Sequence, residues 1–412
     1  MPATTLHHHD YYRLPWTLPD NGISWLEPTV LCNLRCDGCY RKVDGNPHKS
    51  WATVLGELDV FCDQRKSDCI SIAGGEPLLY PHIIDLVAEV RRRGFKPVIN
   101  SNGEPLTPGL LRELKRAGVF GFTFHVDSRQ NRGGPWQGCD ELGLNALRLQ
   151  YATMLAEVGG IACSFNATVY ADNLDQVPGM AAWAREHIDL VHTMVFICFR
   201  HVVPSMPFEW YAGADKVDWD RIWYHSDQDR TVTIDSHDLV ARMREHDPDF
   251  EPAAYLNGTQ DPSAFKWLLT MRVGNRERIF GYPGPKLAEA MTAWHHFRTD
   301  RYLAYMAPGT LRHGRTAMLL LWPLDRRLRR AAAGWLRAGL RDPRHFARRA
   351  HVQSIMFIQP VDFMEDGEQS MCDGCPDITV HDGKLVWSCR LEERKQHGAW
   401  LRTVPRADQA RG

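Results

Sequence analysis

Apolar runs and amphipathic stretches alternate through the first two hundred residues of the chain. Short apolar or β-branched runs are typical of buried strands, whereas apolar positions three and four residues apart predict helices. The pattern predicts strands at 23–29, 69–73, 96–100, 120–126, 161–170 and 189–199. It predicts helices between them at 51–66, 81–94, 107–118, 140–158 and 174–187. Repeated strand–helix units of this kind indicate an α/β fold with a parallel sheet and right-handed crossovers.

The pattern becomes irregular after residue 200. Aromatic residues, aspartate, proline and glycine follow no clear period between 202 and 310, which predicts connecting helices and loops over the open side of the sheet. Residues 316–350 combine an apolar group with many arginines, and Leu328, Trp335 and Leu336 fall at near-helical spacing. This indicates a basic amphipathic helix. Its apolar stripe could pack on the sheet, or it could lie on an anionic membrane surface.

Two short β-prone runs near the carboxyl end of the chain flank an Asp-Gly turn at 382–383. Asp-Gly between two such runs is a hairpin signal. The hairpin would bring Cys389 back towards Cys372 and Cys375, so that three thiolates converge on a small β unit. Convergence of this kind predicts a metal site, either zinc or iron–sulfur.

The composition is typical of a globular protein, with 44% hydrophobic and 24% charged residues among 412. A net charge of −1 gives no overall field that would attract nucleic acid, so no nucleic-acid partner is expected. The eleven cysteines are an odd number, and the chain shows neither a leader-like start nor an eighteen-residue apolar run. These features predict a cytoplasmic protein whose cysteines serve as metal ligands rather than disulfides.

Three cysteines with C-x3-C-x2-C spacing, Cys32, Cys36 and Cys39, directly follow the first predicted strand. Three thiolates this close can hold three irons of a cubane cluster and leave the fourth iron for a non-protein ligand. The alternative is a zinc site or three ordinary buried cysteines. A structural zinc site would need a fourth ligand, which the triad does not supply.

A second motif, Gly74-Gly75-Glu76-Pro77, ends the second predicted strand. Its glycines let the backbone approach a ligand closely, and exposed N–H and C=O groups there can pair with a small zwitterion. The triad and this turn, in this order and both at strand ends, resemble the radical S-adenosylmethionine (SAM) superfamily. The resemblance covers residues 20–200 firmly and 355–392 loosely.

The resemblance implies a partial (β/α)6 TIM-like barrel, followed by a mostly helical or irregular insert and a small cysteine-containing hairpin unit. It implies a [4Fe-4S] cluster on the first triad, whose open iron binds SAM, while the Gly-Gly-Glu-Pro turn contacts the SAM amino group. Reduction of this cluster, by a flavodoxin- or ferredoxin-type partner, would split SAM into methionine and a 5′-deoxyadenosyl radical. That radical would abstract hydrogen from a substrate or add to it.

The cysteines near the carboxyl end are similar to the SPASM and Twitch extensions of the superfamily. This similarity implies a second, auxiliary iron–sulfur cluster on Cys372, Cys375 and Cys389. The segment has one extra residue between Gly383 and Cys389 and lacks the full set of seven cysteines, so the fourth ligand is unidentified. The extension suggests a peptide substrate, whereas the basic apolar segment suggests a lipid and a peripheral membrane contact.

Polar residues at the predicted strand ends are candidates for the site, because ligands gather at the carboxyl ends of parallel strands. A carboxylate and an amide suit a diol, so Asp127 and Asn166 are expected at the SAM ribose, with Asn102 also binding cofactor. His125 faces the same side of its strand as Asp127 and is the candidate for substrate contact or acid–base catalysis. Tyr40 is expected to stack on adenine.

The chain is expected to divide into an amino-terminal extension (1–21), the barrel (22–201), a covering region (202–350) and an auxiliary-cluster extension (351–412). A non-enzymatic iron–sulfur or zinc protein, serving electron transfer or interaction, is the alternative to an enzyme. The turn at 74–77 favours the enzyme, since an electron carrier does not need a SAM site.

Overall fold

The computed structural model of the protein describes residues 6–42, 46–364, 366 and 368–406. The expected amino-terminal extension and auxiliary-cluster extension therefore reach beyond the described residues at the two chain ends. The strands are β1 (Tyr12–Arg13), β2 (Ile23–Thr29), β3 (Cys69–Gly74), β4 (Lys96–Ser101), β5 (Gly121–His125), β6 (Ala162–Val169), β7 (Thr193–Cys198), β8 (Phe208–Ala212), β9 (Asp215–Val217), β10 (Ala254–Asn257), β11 (Phe265–Gly274), β12 (Ile279–Gly281), β13 (His351–Ile358), β14 (Asp362–Phe363), β15 (Gln369–Ser370), β16 (Ile378–His381), β17 (Lys384–Trp387) and β18 (Leu401–Pro405).

Helices cover the outer face of the sheet and fill the later part of the chain. They are α1 (Trp51–Gln64), α2 (Ile83–Arg92), α3 (Pro108–Ala117), α4 (Asn145–Val158), α5 (Val177–Glu186), α6 (Ser236–His246), α7 (Pro285–Thr299), α8 (Pro308–Leu311), α9 (Gly314–Leu321), α10 (Arg326–Arg341) and α11 (Leu391–His397). Local sequence explains several of their ends: the Ser50 side chain accepts from the Thr53 N–H before α1, and α3 ends where Gly118 adopts a left-handed φ of 99°.

One large sheet runs in the order β1-β10-β11-β13-β7-β6-β5-β4-β3-β2, with β12 paired to β11. Strands β2 to β7 are parallel to one another, in the order and close to the bounds that the sequence predicts. The α/β fold is therefore confirmed. Strand β13 adds a further parallel strand beside β7, and β11 and β10 continue the sheet antiparallel.

The strands after residue 200 were missed by the sequence analysis, which expects connecting helices and loops from 202 to 310. Helices α6 and α7 and several loops do lie there, but so does the ten-residue strand Phe265–Gly274. Nine of its ten residues are buried. Polar and apolar residues alternate along most of this strand, with Lys266, Thr270 and Arg272 on one face, so a period-two signal is present in its sequence.

The sheet curves around one interior cavity of about 980 Å³. Side chains from β2 to β7, β11 and β13 all line it. Among the described strands, β1 and β2 end the pairing path without pairing with each other, so the barrel is not closed by hydrogen bonds.

The β16–β17 hairpin forms at the place that the sequence predicts. Asp382 and Gly383 have φ angles of 49° and 71°, the left-handed values that a tight turn with a type I′ twist requires. The segment before the hairpin lies against the gap between β1 and β2: the Asp373 N–H donates to the Asn257 carbonyl of β10, and the Asn21 amide donates to the Gly374 carbonyl. The hairpin unit therefore covers the open side of the sheet.

The expected basic amphipathic helix is α10. Its stripe packs inward, because Leu328 and Trp335 are buried in a cluster with Phe280 and Met318. Leu336 and Leu340, by contrast, are exposed. The apolar stripe as a whole is therefore not a membrane-facing surface, although part of the helix remains apolar and open to solvent. In the described part of the chain, no helix is long and apolar enough to cross a bilayer.

Candidate functional site

The first cysteine triad lies in the loop that follows β2, at the carboxyl end of the parallel strands. Cys32, Cys36 and Cys39 all line the interior cavity. Burial raises the pKa of each of these thiols above its usual value. The Asn102 amide nitrogen lies 3.8 Å from the Cys32 sulfur, where its N–H can point at a thiolate. The donor set suits iron, because three thiols line one cavity.

The second triad faces the same cavity from the hairpin unit. Cys372 and Cys375 are within hydrogen-bonding reach of each other, and the charge of Cys389 acts on Cys375, so the predicted convergence occurs. Among the described residues, no three His, Cys, Asp or Glu side chains are gathered as a single metal ion would require.

A carboxylate accompanies the second triad. Asp377 lines the cavity, acts electrostatically on both Cys375 and Cys389, and accepts no side-chain hydrogen bond from the described residues. Burial raises its pKa to about 7. The sequence analysis missed Asp377, although its position two residues after Cys375 was a signal that could have been used.

Arg41 joins the two triads through one guanidinium group. It donates to the Glu27 carboxylate on β2, at 2.8 Å from Nε, and to the carbonyl and hydroxyl of Ser388 at 2.7 and 2.6 Å. Burial alone would raise the pKa of Glu27, but the positive charge of Arg41 holds this pKa below its usual value. Arg41 follows the first triad by two residues and Ser388 precedes Cys389, so this buried network fixes one triad relative to the other.

The Gly-Gly-Glu-Pro turn is packed tightly against the start of the first triad's loop. The Gly75 N–H donates to the Thr29 carbonyl at 2.9 Å, and the Glu76 N–H donates to the Leu31 carbonyl at 2.7 Å. A Cβ at Gly75 would lie 2.2 Å from the Leu31 oxygen, so no larger residue fits there. The expectation of exposed N–H groups at Gly75 and Glu76 is therefore wrong. Carbonyl oxygens of the turn are left to meet a ligand's amino group.

Glu76 and Pro77 lie behind the cavity wall, while Gly74 and Gly75 line it. The Glu76 carboxylate accepts from the Asn102 N–H at 2.7 Å and from the Ser101 hydroxyl at 2.8 Å. Burial raises the pKa of Glu76 to about 6, although these hydrogen bonds act to lower it. Glu76 therefore positions the end of β4 and does not face a ligand directly.

His125 and Asp127 form a hydrogen-bonded pair. The His125 Nε2 atom lies 2.6 Å from Asp127 Oδ2, and the Arg129 N–H donates to the other carboxylate oxygen. His125 lines the cavity, whereas Asp127 is 2% exposed and lies behind it. Despite burial, hydrogen bonding from His125 holds the pKa of Asp127 below its usual value. The geometry makes Asp127 an anchor for the imidazole, with no cavity face of its own.

Asn166 and Tyr40 both line the cavity. The Asn166 Oδ1 atom is buried without a hydrogen-bond partner among the described residues, so it is available to a ligand hydroxyl. The Tyr40 hydroxyl donates to the Arg200 carbonyl at 2.9 Å, and its ring meets those of His201 and Tyr224. These contacts hold the Tyr40 ring at the cavity wall.

The comparison with known families now decides the relationship. Residues 26–150 match the family model of the Radical SAM superfamily. This segment of the chain is therefore similar to the radical SAM superfamily. The matched segment holds the first triad, the turn at 74–77 and the His125–Asp127 pair, whereas the second triad lies outside it.

Similar proteins include several enzymes. A PqqA peptide cyclase from Gluconobacter oxydans is 28% identical over 198 residues, which cover 44% of this chain and 52% of that protein. A tungsten-containing aldehyde ferredoxin oxidoreductase cofactor-modifying protein from Pyrococcus furiosus is 34% identical over 113 residues, which cover 25% of this chain and 30% of that protein. This chain therefore spans about half or less of the length of these relatives. The prediction of an enzyme class is confirmed at the level of the superfamily.

Among solved structures, Streptococcus suis SuiB bound to precursor peptide SuiA is similar. The identity is 16% and the TM-score 0.35, over 47% of this chain and 41% of that one. SuiB without the peptide matches with 15% identity and a TM-score of 0.39, over 56% of this chain and 46% of that one.

Proposed function

We propose that this protein is a radical SAM enzyme that reductively cleaves SAM and uses the resulting 5′-deoxyadenosyl radical on a substrate held in the interior cavity. The observation that carries the proposal is that the triad Cys32, Cys36 and Cys39 and the glycines of the turn at 74–75 line one cavity. A [4Fe-4S] cluster on the triad would supply the electron for the cleavage. The alternative function, that of a non-enzymatic iron–sulfur or zinc protein, does not explain why such a cavity is present.

Different residues around the cavity are proposed to bind different groups of SAM. Carbonyl oxygens at Gly74 and Gly75 accept from its amino group, and the unpaired Asn166 oxygen accepts from a ribose hydroxyl. Asn102 holds the Cys32 thiolate by an N–H···S contact. Tyr40 offers a ring face for adenine. The expected ribose role of Asp127 becomes indirect, since Asp127 orients His125 towards the cavity.

His125 is proposed as a group that contacts the substrate or exchanges a proton with it. Its Nε2 atom is held by Asp127, and the Thr168 hydroxyl lies 3.3 Å from the same nitrogen. A carboxylate that anchors one side of an imidazole fixes the orientation of the ring. Hydrogen abstraction itself needs no base, so His125 serves the substrate rather than the cleavage of SAM.

A second iron–sulfur cluster is proposed on Cys372, Cys375 and Cys389. Asp377 is the carboxylate available for its fourth position, because it is beside the thiols and accepts no side-chain hydrogen bond from the described residues. A site with four protein ligands would serve as an electron relay or a structural element. The resemblance of these cysteines to the SPASM and Twitch extensions supports a second cluster only by analogy.

The partners follow from this chemistry. A flavodoxin- or ferredoxin-type protein would provide the electron. The PqqA peptide cyclase among the relatives supports a peptide substrate, because that enzyme is named for action on a peptide. A lipid substrate is the second candidate, and the apolar residues that line the interior of the barrel favour it. A cytoplasmic location stays a prediction.

The experiment is anaerobic reconstitution with iron and sulfide, addition of SAM and dithionite, and measurement of 5′-deoxyadenosine. We expect product from the wild-type protein and from Cys62→Ala, whose exposed thiol lies outside both triads. We expect none without dithionite. Absence of 5′-deoxyadenosine from a wild-type protein that holds its iron would contradict the proposal.

A further inference from the structure

The wall of the cavity has an unusual distribution of side-chain sizes. Barrels of parallel strands are normally filled by layers of bulky branched residues. Here six inward positions of the parallel strands carry small side chains, namely Ser71, Thr123, Ala162, Ser164, Thr193 and Ser354. The interior is therefore left open as a chamber instead of being packed as a core.

Other parts of the cavity wall are large and apolar. They are formed by Trp25 on β2, Trp267 and Met271 on β11, and Met356 and Ile358 on β13. Both Ala162 and Thr168, near opposite ends of β6, line the cavity. At about 3.3 Å per residue, the chamber therefore extends for about 20 Å along the strands.

Most of the charge in the cavity lies towards the first triad, although Asp377 also acts electrostatically on Tyr305. The charged residues that line it lie on β2, in the first triad's loop, just after β7, or beside the second triad; they are Glu27, Arg35, Asp37, Arg41, Arg200 and Asp377. At the opposite end, where the parallel strands begin, the titratable side chains of the described lining are His192 and Tyr305. Burial lowers the pKa of His192 to about 4 and raises that of Tyr305, so both are neutral at pH 7. SAM, a charged ligand, suits the first end, and the other end suits an uncharged chain.

The floor of the chamber, at the amino ends of the parallel strands, is a thin layer. Ala288 and Met291 of α7 contribute to it, together with Leu303, Met306 and Leu311. Leu303 and Met306 are also partly exposed to solvent. This segment of the chain leads directly into α8 and α9.

The outer surface next in the chain is apolar and basic. Leu320 is 70% exposed and Leu340 is 81% exposed, and Trp322 and Leu324 are also exposed. Nine arginines lie between 326 and 349. Within the described residues, two of them form ion pairs, Arg327 with Glu251 and Arg348 with Glu277. The rest leave a positive charge that complements an anionic lipid surface.

We propose, on the basis of the SAM chemistry proposed above, that the substrate is a long-chain lipid. Its apolar chain lies in the chamber that is lined by the Trp25–Trp267 wall and the small-residue wall, and its headgroup stays outside the floor near α9 and α10. The carbon that reacts is then part of the chain rather than of the headgroup. A peptide would suit this chamber less well, because each residue would bring a backbone N–H and C=O that the apolar wall leaves unpaired.

Binding of simple fatty acids tests the chamber without turnover. Octanoate, dodecanoate and hexadecanoate are titrated below their micelle concentrations into the full, anaerobically reconstituted protein with SAM and without reductant, and calorimetry gives the affinities. We expect affinity to rise by about fourfold per methylene while the chain still fits inside. Affinity that does not depend on chain length would overturn the lipid assignment and leave a peptide as the substrate class.

A matched pair of variants locates the bound chain. Met356→Gln places an amide in the apolar wall, and Met154→Gln makes the same change on α4, which packs on the core and does not line the cavity. We expect Met356→Gln to weaken hexadecanoate binding about tenfold or more, because the amide lacks a partner there, and Met154→Gln to leave it unchanged. Equal affinities in two variants that unfold at similar temperatures would overturn the assignment.

The outcome is separable from the test of SAM cleavage. Fatty-acid binding is measured without reductant, so failure of chain binding beside normal 5′-deoxyadenosine formation contradicts only the lipid inference. Absence of 5′-deoxyadenosine from the iron-loaded protein contradicts the proposed function on which the inference rests.

Discussion

The two cysteine triads face the same cavity but are built in opposite ways. The first is local: Cys32, Cys36 and Cys39 lie in one loop, and the neighbouring turn at 74–75 offers backbone carbonyls to a ligand. The second spans 372–389, depends on a hairpin for its convergence, and has the Asp377 carboxylate beside it. On the proposed function, this difference predicts an exchangeable ligand position at the first site and a fully protein-bound cluster at the second.

The largest expected effect separates the two sites by function. Cys36→Ala removes a ligand of the first triad, so we expect 5′-deoxyadenosine to fall to the level of a sample without protein. Cys375→Ala should still cleave SAM while it loses about four irons, since a relay or structural cluster is not where SAM binds. Product and iron are measured on the same reconstituted samples. If both variants lose SAM cleavage equally in well-folded protein, the division of roles is wrong.

A second test asks whether Asp377 completes the second site. Asp377→Asn removes the anionic ligand while keeping its shape, so we expect the second site to lose about half or more of its iron during desalting. Asp373→Asn is the control, because Asp373 lies equally near the triad in sequence but is exposed and pairs with Arg13. The iron is counted per chain, and the first triad should keep its share in both variants. Equal retention of iron by the two variants would remove Asp377 from the ligand set.

A third test concerns the link between the sites. Arg41→Met leaves Glu27 buried without its counter-charge and frees Ser388, and breaking such a buried pair costs about 3–5 kcal/mol. Arg276→Met, which breaks an exposed pair with Asp189, should change the free energy of unfolding little. Denaturant unfolding followed by tryptophan fluorescence gives both values. Similar small losses would mean that Arg41 does not hold the triads together.

The smallest effect concerns the turn that brings the second triad together. Gly383→Ala forces a side chain into a left-handed φ of 71°, which costs about 1 kcal/mol. Gly56→Ala, in the middle of α1, should instead stabilise by about 0.5–1 kcal/mol. Neither new Cβ meets another atom within 4 Å, so steric clash does not contribute. Thermal unfolding should shift in opposite directions, and a shared direction would contradict the role of the turn.

Sequence reasoning succeeded where the physical cause is local. Strand–helix alternation, the spacing of Cys32 to Cys39 and the Asp-Gly turn each depend on neighbours in the chain, and each appears where expected. It failed where partners come from far apart. Arg41 and Ser388 are 347 positions apart in sequence, and the inward packing of Trp335 depends on Phe280. No local pattern reports such contacts.

One feature of the sheet also shapes how the protein is made. Strand β13 inserts between β7 and β11, where Ser354 pairs with Thr193. During synthesis on the ribosome, the nascent chain presents β7 as an unpaired edge until more than one hundred and fifty further residues have been added. Unpaired edges invite association with other chains. The segment with the superfamily motifs is therefore not an independently folding unit, and a fragment that ends at residue 200 will aggregate unless a chaperone shields that edge.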